Sequence, residues 1–163
     1  MKSLSESKMS NPKTIYLNDY QAPLFVIQHV ALTVDIFTDY TVVTSALSIQ
    51  PQRQGEPLVL HGVDLELVEL AIDGVALKAE DYQVNGEELT IAIVPHDNFV
   101  FTSVVKIYPH KNFALEGLYL SKGMYCTQCE PEGIRKITYY LDRPDVLSLF
   151  TTTITADKLQ YPT

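Results

Sequence analysis

Apolar side chains recur at every second position along most of this chain, a spacing that suits strands and does not suit helices. Val30, Leu32, Val34 and Ile36 share one face, with Ala31, Thr33 and Asp35 opposite. Val43, Leu47 and Ile49 repeat the pattern, as do Val68, Leu70 and Ile72, and then Leu89, Ile91 and Ile93. Successive side chains of a strand point to opposite faces, so each run predicts a strand with one buried face. Asp73-Gly74 and Asn85-Gly86 fall between runs, and both dipeptides suit the positive φ of tight hairpin turns, so a hairpin is predicted at each. Further strands are expected at Ser103–Tyr108, Ile137–Leu141 and Thr151–Thr155. The best helix signal is Asp142–Phe150. There Asp142 is a possible cap, Pro144 is tolerated in a first turn and Asp145 suits the positive end of the dipole, which predicts one or two turns. The prolines fall mostly between the strand runs, where they cost no ladder hydrogen bond. The predicted fold class is all-β, an antiparallel sheet or sandwich with at most one short helix.

Composition narrows the partners. The 163 residues suffice for one domain, and a chain of that size buries roughly 70% of its unfolded surface. Acidic residues outnumber basic ones by 20 to 12, a net charge of −8. Phosphate backbones and anionic lipid call for a basic patch, so neither nucleic acid nor membrane is an expected partner. No run of about 18 apolar residues is present to span a bilayer. Residues 1–12 are polar, lack the apolar stretch of a secretory signal and read as a flexible leader, with the domain at 13–163. Two cysteines make no disulfide framework, and a cytoplasmic location is the expectation.

The residues able to carry chemistry cluster late in the chain. Gln128 and Glu130 are two apart, and on an extended strand they face the same side, an orientation that Pro131 favours for Glu130. On spacing alone a solvent-exposed polar strand face is the simpler reading of the pair. Cys126 and Cys129 form a C-x-x-C, which suits half a zinc site or a redox pair. No second ligand pair exists, and the surroundings lack the βαβ setting of a thioredoxin-like motif. Two packed thiols are the simpler reading, with Cys129 facing away from Gln128 and Glu130. His29, His61, His96 and His110 are scattered, with no H-E-x-x-H, no Gly-rich phosphate loop and no nucleophile elbow. No catalytic residue and no metal ligand is therefore expected in this chain.

The segment Cys126-Thr127-Gln128-Cys129-Glu130-Pro131-Glu132-Gly133-Ile134-Arg135, continued by Asp142 and Pro144, resembles the substrate-anchoring segment of the gluzincin-type zinc aminopeptidases. That family reads T-Q-x-E, then Arg, then Asp and Pro, and the likeness is to its bacterial aminopeptidase N branch. Asn18-Asp19-Tyr20-Gln21-Ala22-Pro23 and Ala114–Tyr119 add to it, so it spans nearly the whole chain. Arg143 stands where many members have Glu. The resemblance implies a saddle-like amino-terminal β domain, incomplete at its carboxyl end because the family's sequence continues within the same domain. It implies a catalytic domain of the same polypeptide, holding zinc through H-E-x-x-H and a distal Glu outside this chain. It further implies that Gln128 and Glu130 grip the α-amino group of a peptide substrate's amino terminus, with Arg135 and Asp142 as supports. The chain alone is then expected to be inactive and free of zinc. A self-contained β-sandwich binding module with no peptidase role fits composition and periodicity equally well.

Overall fold

The structure is a computed structural model that describes residues 16–161. The flexible leader expected at residues 1–12 and the domain start at residue 13 lie outside the described residues. Eleven strands follow in chain order: β1 Phe25–Ile36, β2 Thr41–Pro51, β3 Leu58–His61, β4 Glu66–Ile72, β5 Val75–Ala76, β6 Tyr82–Asn85, β7 Glu88–Ile91, β8 Phe99–Ile107, β9 Gly117–Ser121, β10 Met124–Gln128 and β11 Leu149–Thr155. A six-stranded sheet runs β11-β1-β2-β8-β4-β5, a three-stranded sheet runs β3-β7-β6, and β9 and β10 form a hairpin of their own. Every pairing is antiparallel except β1 with β11. The all-β class predicted from period-two alternation is what the chain adopts. No α-helix occurs among the described residues, only 3₁₀ turns.

The two larger sheets share one core. Ile27, Val30, Val43, Leu47, Phe101 and Val105 of the large sheet pack in the same cluster as Leu58, Leu60, Leu89 and Ile91 of the small one. Fully burying each such side chain contributes roughly 1.5–3 kcal/mol relative to leaving it in water. Strand β2 shows the expected alternation without interruption, burying Thr41, Val43, Ser45, Leu47 and Ile49. Strand β1 changes phase: Phe25 and Ile27 are buried, then Val30 and Val34, because its register to β2 slips between Ile27 and His29. That inserted residue is a β-bulge, which moves the buried set by one position. A second slip, between Leu67 and Glu69, leaves Val68 about half exposed while Leu70 is buried. Ile93, expected on the buried face with Leu89 and Ile91, lies beyond the end of β7 and is 88% exposed.

Both predicted hairpins form. Asp73 and Gly74 take φ of 49° and 77° between β4 and β5, the double positive φ of a type I′-like turn. At the second, Asn85 pairs with Glu88, so the link is Gly86-Glu87 rather than Asn85-Gly86, and Gly86 carries the positive φ of 62°. A third tight turn, Lys122-Gly123, joins β9 to β10 with φ of 50° and 84°.

Two expectations are corrected. Ile137–Leu141 is not a strand: it follows a 3₁₀ turn at Ile134–Lys136, and only His61 and Tyr140 form a bridge. Its apolar and aromatic character reflects burial, since Ile137, Tyr139 and Tyr140 join the core. Thr138 Oγ1 meets Ser45 Oγ at 2.8 Å and Ser103 Oγ at 3.2 Å, so the segment lies against the inner face of β2 and β8. Asp142–Phe150 is not a helix but a turn at Pro144-Asp145 leading into β11. Its two acids are engaged elsewhere. Asp142 accepts from Arg135, while Asp145 accepts from Arg143 and from Tyr20 Oη at 3.0 Å. Each carboxylate is turned toward its arginine, away from the N–H groups a helix end would present.

Candidate functional site

Strand β10 carries Gln128 as its last residue, opposite Gly117 of β9. The chain then leaves the strand. Glu130 opens a turn through Gly133, and the Glu130-Pro131 peptide is cis. The extended i, i+2 arrangement predicted for Gln128 and Glu130 is thus corrected, since the second residue lies past the strand. The two are nevertheless joined: Gln128 Nε2 donates to the Glu130 carbonyl at 3.2 Å. No hydrogen bond among the described residues uses Gln128 Oε1. Glu130 is exposed and makes no ion pair among the described residues. It lines a concavity of about 370 Å³ with Glu87, Glu116, Glu132, Arg135 and Lys136, a set that does not include Gln128.

The turn is held open at its base by two glycines in close contact. A Cβ on Gly133 would lie 2.6 Å from Cys129 Cα and against the Gln128 carbonyl oxygen. Gly117, at φ 67°, has no room either, because a Cβ there would lie 2.6 Å from Lys136 Cβ. Gly133→Ala must therefore displace the backbone that carries Gln128 and Glu130. Overpacking of this kind typically costs about 1–3 kcal/mol. A lowered melting temperature is expected for this variant, and a melting curve matching the parent would show that the turn has slack.

Behind the turn stands Arg135. Its backbone N–H and Nε both donate to Asp142 Oδ2 at 3.0 Å, and Nη2 donates to the Asp142 carbonyl at 2.8 Å. This is not the two-oxygen fork that the pairing of Arg with a carboxylate suggests, because one oxygen takes both donors. Outward, Nη2 lies 3.2 Å from Glu132 and Nη1 4.0 Å from Glu87. The Asp142 side chain is only 4% exposed and that of Arg135 17%. Asp142 in turn donates its N–H to His61 Nδ1 at 3.2 Å, which ties the segment to β3.

That last bond makes the site sensitive to acid. His61 is held below the ordinary imidazole value of 6.5, first by burial and then by the Arg135 charge, against Asp142, Glu88 and Glu132. The folded state resists protonation more than the unfolded chain does. Its contribution is therefore complete above about pH 6.5 and is lost as pH falls through the folded value. Protonated Nδ1 also cannot accept from Asp142. The melting temperature is expected to drop as pH falls below about 6.5, and to drop less in His61→Gln, whose amide oxygen still accepts. Equal drops in the two proteins would remove His61 from the account.

The C-x-x-C does not form a pair. Both thiols are free. Cys129 packs against the core beside Tyr125, as expected for the face away from Gln128, and burial raises its pKa. Cys126 Sγ instead approaches the Met124 carbonyl at 3.8 Å. Among the described residues no three His, Cys, Asp or Glu side chains come together as a metal cage, and no helix is long and apolar enough to cross a membrane. In the sequence Glu87 carries no signal, and Gly133 and the Ala114–Tyr119 stretch holding Glu116 and Gly117 enter only as part of the resemblance. Only the Glu132-x-x-Arg135 spacing carried a local sign of pairing.

Comparison with known proteins identifies the family. The family model described as the Peptidase M1 N-terminal domain matches residues 20–161. The chain is 47% identical over 151 residues to an aminopeptidase N of Caulobacter vibrioides, covering 92% of this chain and 17% of that protein. It superposes on an aminopeptidase A of Legionella pneumophila, solved in complex with aspartic acid, with a TM-score of 0.84 and 30% identity over 90% of this chain and 18% of that one. An M1 zinc metallopeptidase of Deinococcus radiodurans, at 14% identity and a TM-score of 0.67 over 80% of this chain and 32% of that one, shares the fold. The chain thus spans about a sixth of the curated relative's length, and by the match over residues 20–161 it belongs to the Peptidase M1 N-terminal domain family.

Proposed function

We propose that residues 13–163 serve as the amino-terminal domain of a zinc aminopeptidase that releases amino-terminal residues from peptides, with Glu130 and Gln128 holding the substrate's α-ammonium. The observation that carries this is Glu130 itself, an exposed carboxylate without an ion pair among the described residues, at the rim of a concavity and hydrogen-bonded through its carbonyl to Gln128. An α-ammonium offers three donors and one positive charge. A carboxylate with a neutral amide acceptor beside it meets both needs, and charge-assisted hydrogen bonds contribute roughly 1.5–3 kcal/mol each. In this reading the metal is held by the remainder of the polypeptide. When bound, such a metal supplies Lewis acidity and an activated water for peptide hydrolysis. This domain's own part is positioning: fixing the amine fixes where the first carbonyl lies. A cytoplasmic setting is part of the proposal and suits two thiols left unbridged.

The test uses the full-length polypeptide and an aminoacyl reporter substrate. Turnover is expected with a free α-amine and loss of at least about a hundredfold on Nα-acetylation, the change that removes the charge. The isolated chain is expected to turn over neither reporter and to carry no stoichiometric zinc by metal analysis. Equal cleavage of the acetylated reporter, or one tightly held zinc per isolated chain, would overturn the reading.

A further inference from the structure

Four glutamates face the concavity, yet an ammonium must settle on one of them if the scissile bond is to be placed. Glu87 comes from the β6–β7 link, Glu116 from the residues before β9, and Glu130 and Glu132 from the turn after β10. Resting on the proposed role of Glu130, we infer that Arg135 is a positioning residue that decides which of these carboxylates receives the substrate's amine.

The argument is one of occupied and unoccupied charge. Arg135 cannot swing freely, because Nε and Nη2 are bonded to the buried Asp142. Its outward edge is therefore aimed at Glu132, 3.2 Å away, and at Glu87, 4.0 Å away. Lys136 is taken up by Asp64 at 3.0 Å. A carboxylate already paired with a guanidinium presents a weaker negative potential and fewer free lone pairs to a second cation. Glu130 and Glu116 make no ion pair among the described residues, and of these Glu130 accepts, on its backbone carbonyl, a hydrogen bond from Gln128, whose Oε1 takes no hydrogen bond among the described residues. The arrangement leaves one unpaired carboxylate on the residue whose backbone Gln128 holds.

Without the guanidinium, Glu132 and Glu87 become rival anchors. Substrate then binds in several poses, of which one reacts. Non-productive binding has a kinetic signature that a merely structural defect lacks: kcat and KM fall together while kcat/KM holds. The full-length enzyme carrying Arg135→Gln is expected to show both constants lowered about fivefold, with kcat/KM within about twofold of the parent. Adding Glu132→Gln is expected to restore both. Loss of kcat at constant KM, unrelieved by Glu132→Gln, would overturn the inference and mark Arg135 as structural only.

A second arm leaves the Arg135–Asp142 bonds intact, in case Arg135→Gln does not fold. Glu132→Gln alone leaves the fixed guanidinium without its nearer outward partner, so its charge falls on the remaining carboxylates of the concavity, and KM for an aminoacyl reporter is expected to rise about threefold or more with kcat unchanged. That rise should vanish in a Glu130→Ala background, as coupling between neighbouring charges requires. Additive effects would overturn the inference. Glu130→Ala alone separates the two levels. Kinetics near the parent would remove the amine-anchor reading and this inference with it, whereas a large loss combined with additive Glu132 effects would remove only the role of Arg135.

Discussion

Glu130→Ala in the full-length enzyme is expected to lower kcat/KM for an unblocked aminoacyl substrate by about 30-fold to several thousand-fold while leaving the melting temperature near that of the parent. The size follows from the cost of stranding one partner of a desolvated charge pair, roughly 2–5 kcal/mol, at 1.36 kcal/mol per decade of rate. The small effect on folding follows from position, since Glu130 is exposed and belongs to no ion pair among the described residues. Gln128→Ala should do less, because it removes a neutral acceptor and a single 3.2 Å bond to the Glu130 carbonyl. Steady-state kinetics beside a thermal melt decide the matter. If Glu130→Ala turns over like the parent, or loses activity only in proportion to its unfolded fraction, the residue is not the amine anchor.

Asp142→Ala is expected to be the most damaging change to the fold among the site residues. The carboxylate is almost wholly buried and receives both the backbone N–H and Nε of Arg135, whose side chain is itself mostly covered. Its removal leaves a mostly covered guanidinium with the carbonyl of residue 142, Glu132 and the more distant Glu87. Breaking a buried pair from one side costs about 3–5 kcal/mol, which for a domain near this size lowers the melting temperature by roughly 6–20 °C. Asp142→Asn should lose less, because the amide oxygen still accepts. A loss under about 1 kcal/mol for Asp142→Ala would show that Glu132 alone can hold the guanidinium.

The strands were legible because their cause is local. Period-two runs such as Thr41–Ile49 bury alternate residues whatever surrounds them, and the positive φ of Asp73, Gly74 and Gly86 belongs to residue types that tolerate it. What failed to show in the sequence depends on distant neighbours. The bulges near Gln28 and Val68 shift the phase through pairing with other strands. Tyr139 and Tyr140 look like strand residues, but no neighbouring strand lies alongside them beyond the single His61 bridge. Asp142 reads as a cap only until Arg135 is seen to occupy it. The candidate site divides in the same way. Gln128 and Glu130 were picked out through a resemblance carried by adjacent letters, whereas Glu87 and Glu116 reach the concavity only by tertiary folding.

The parallel pairing of β1 with β11 has a consequence for how this domain is made. His29 and Thr151, joined at 2.9 Å across these strands, are 122 positions apart in the chain. A ribosome delivers His29 of β1 122 residues before Thr151 of β11, so one flank of β1 stays without this partner while the intervening strands are made. Contacts of such long sequence separation slow folding, because loop closure must precede any gain from pairing. The early strand is thus a standing template for a neighbouring nascent chain, and the late arrival of Leu149–Thr155 is what withdraws it.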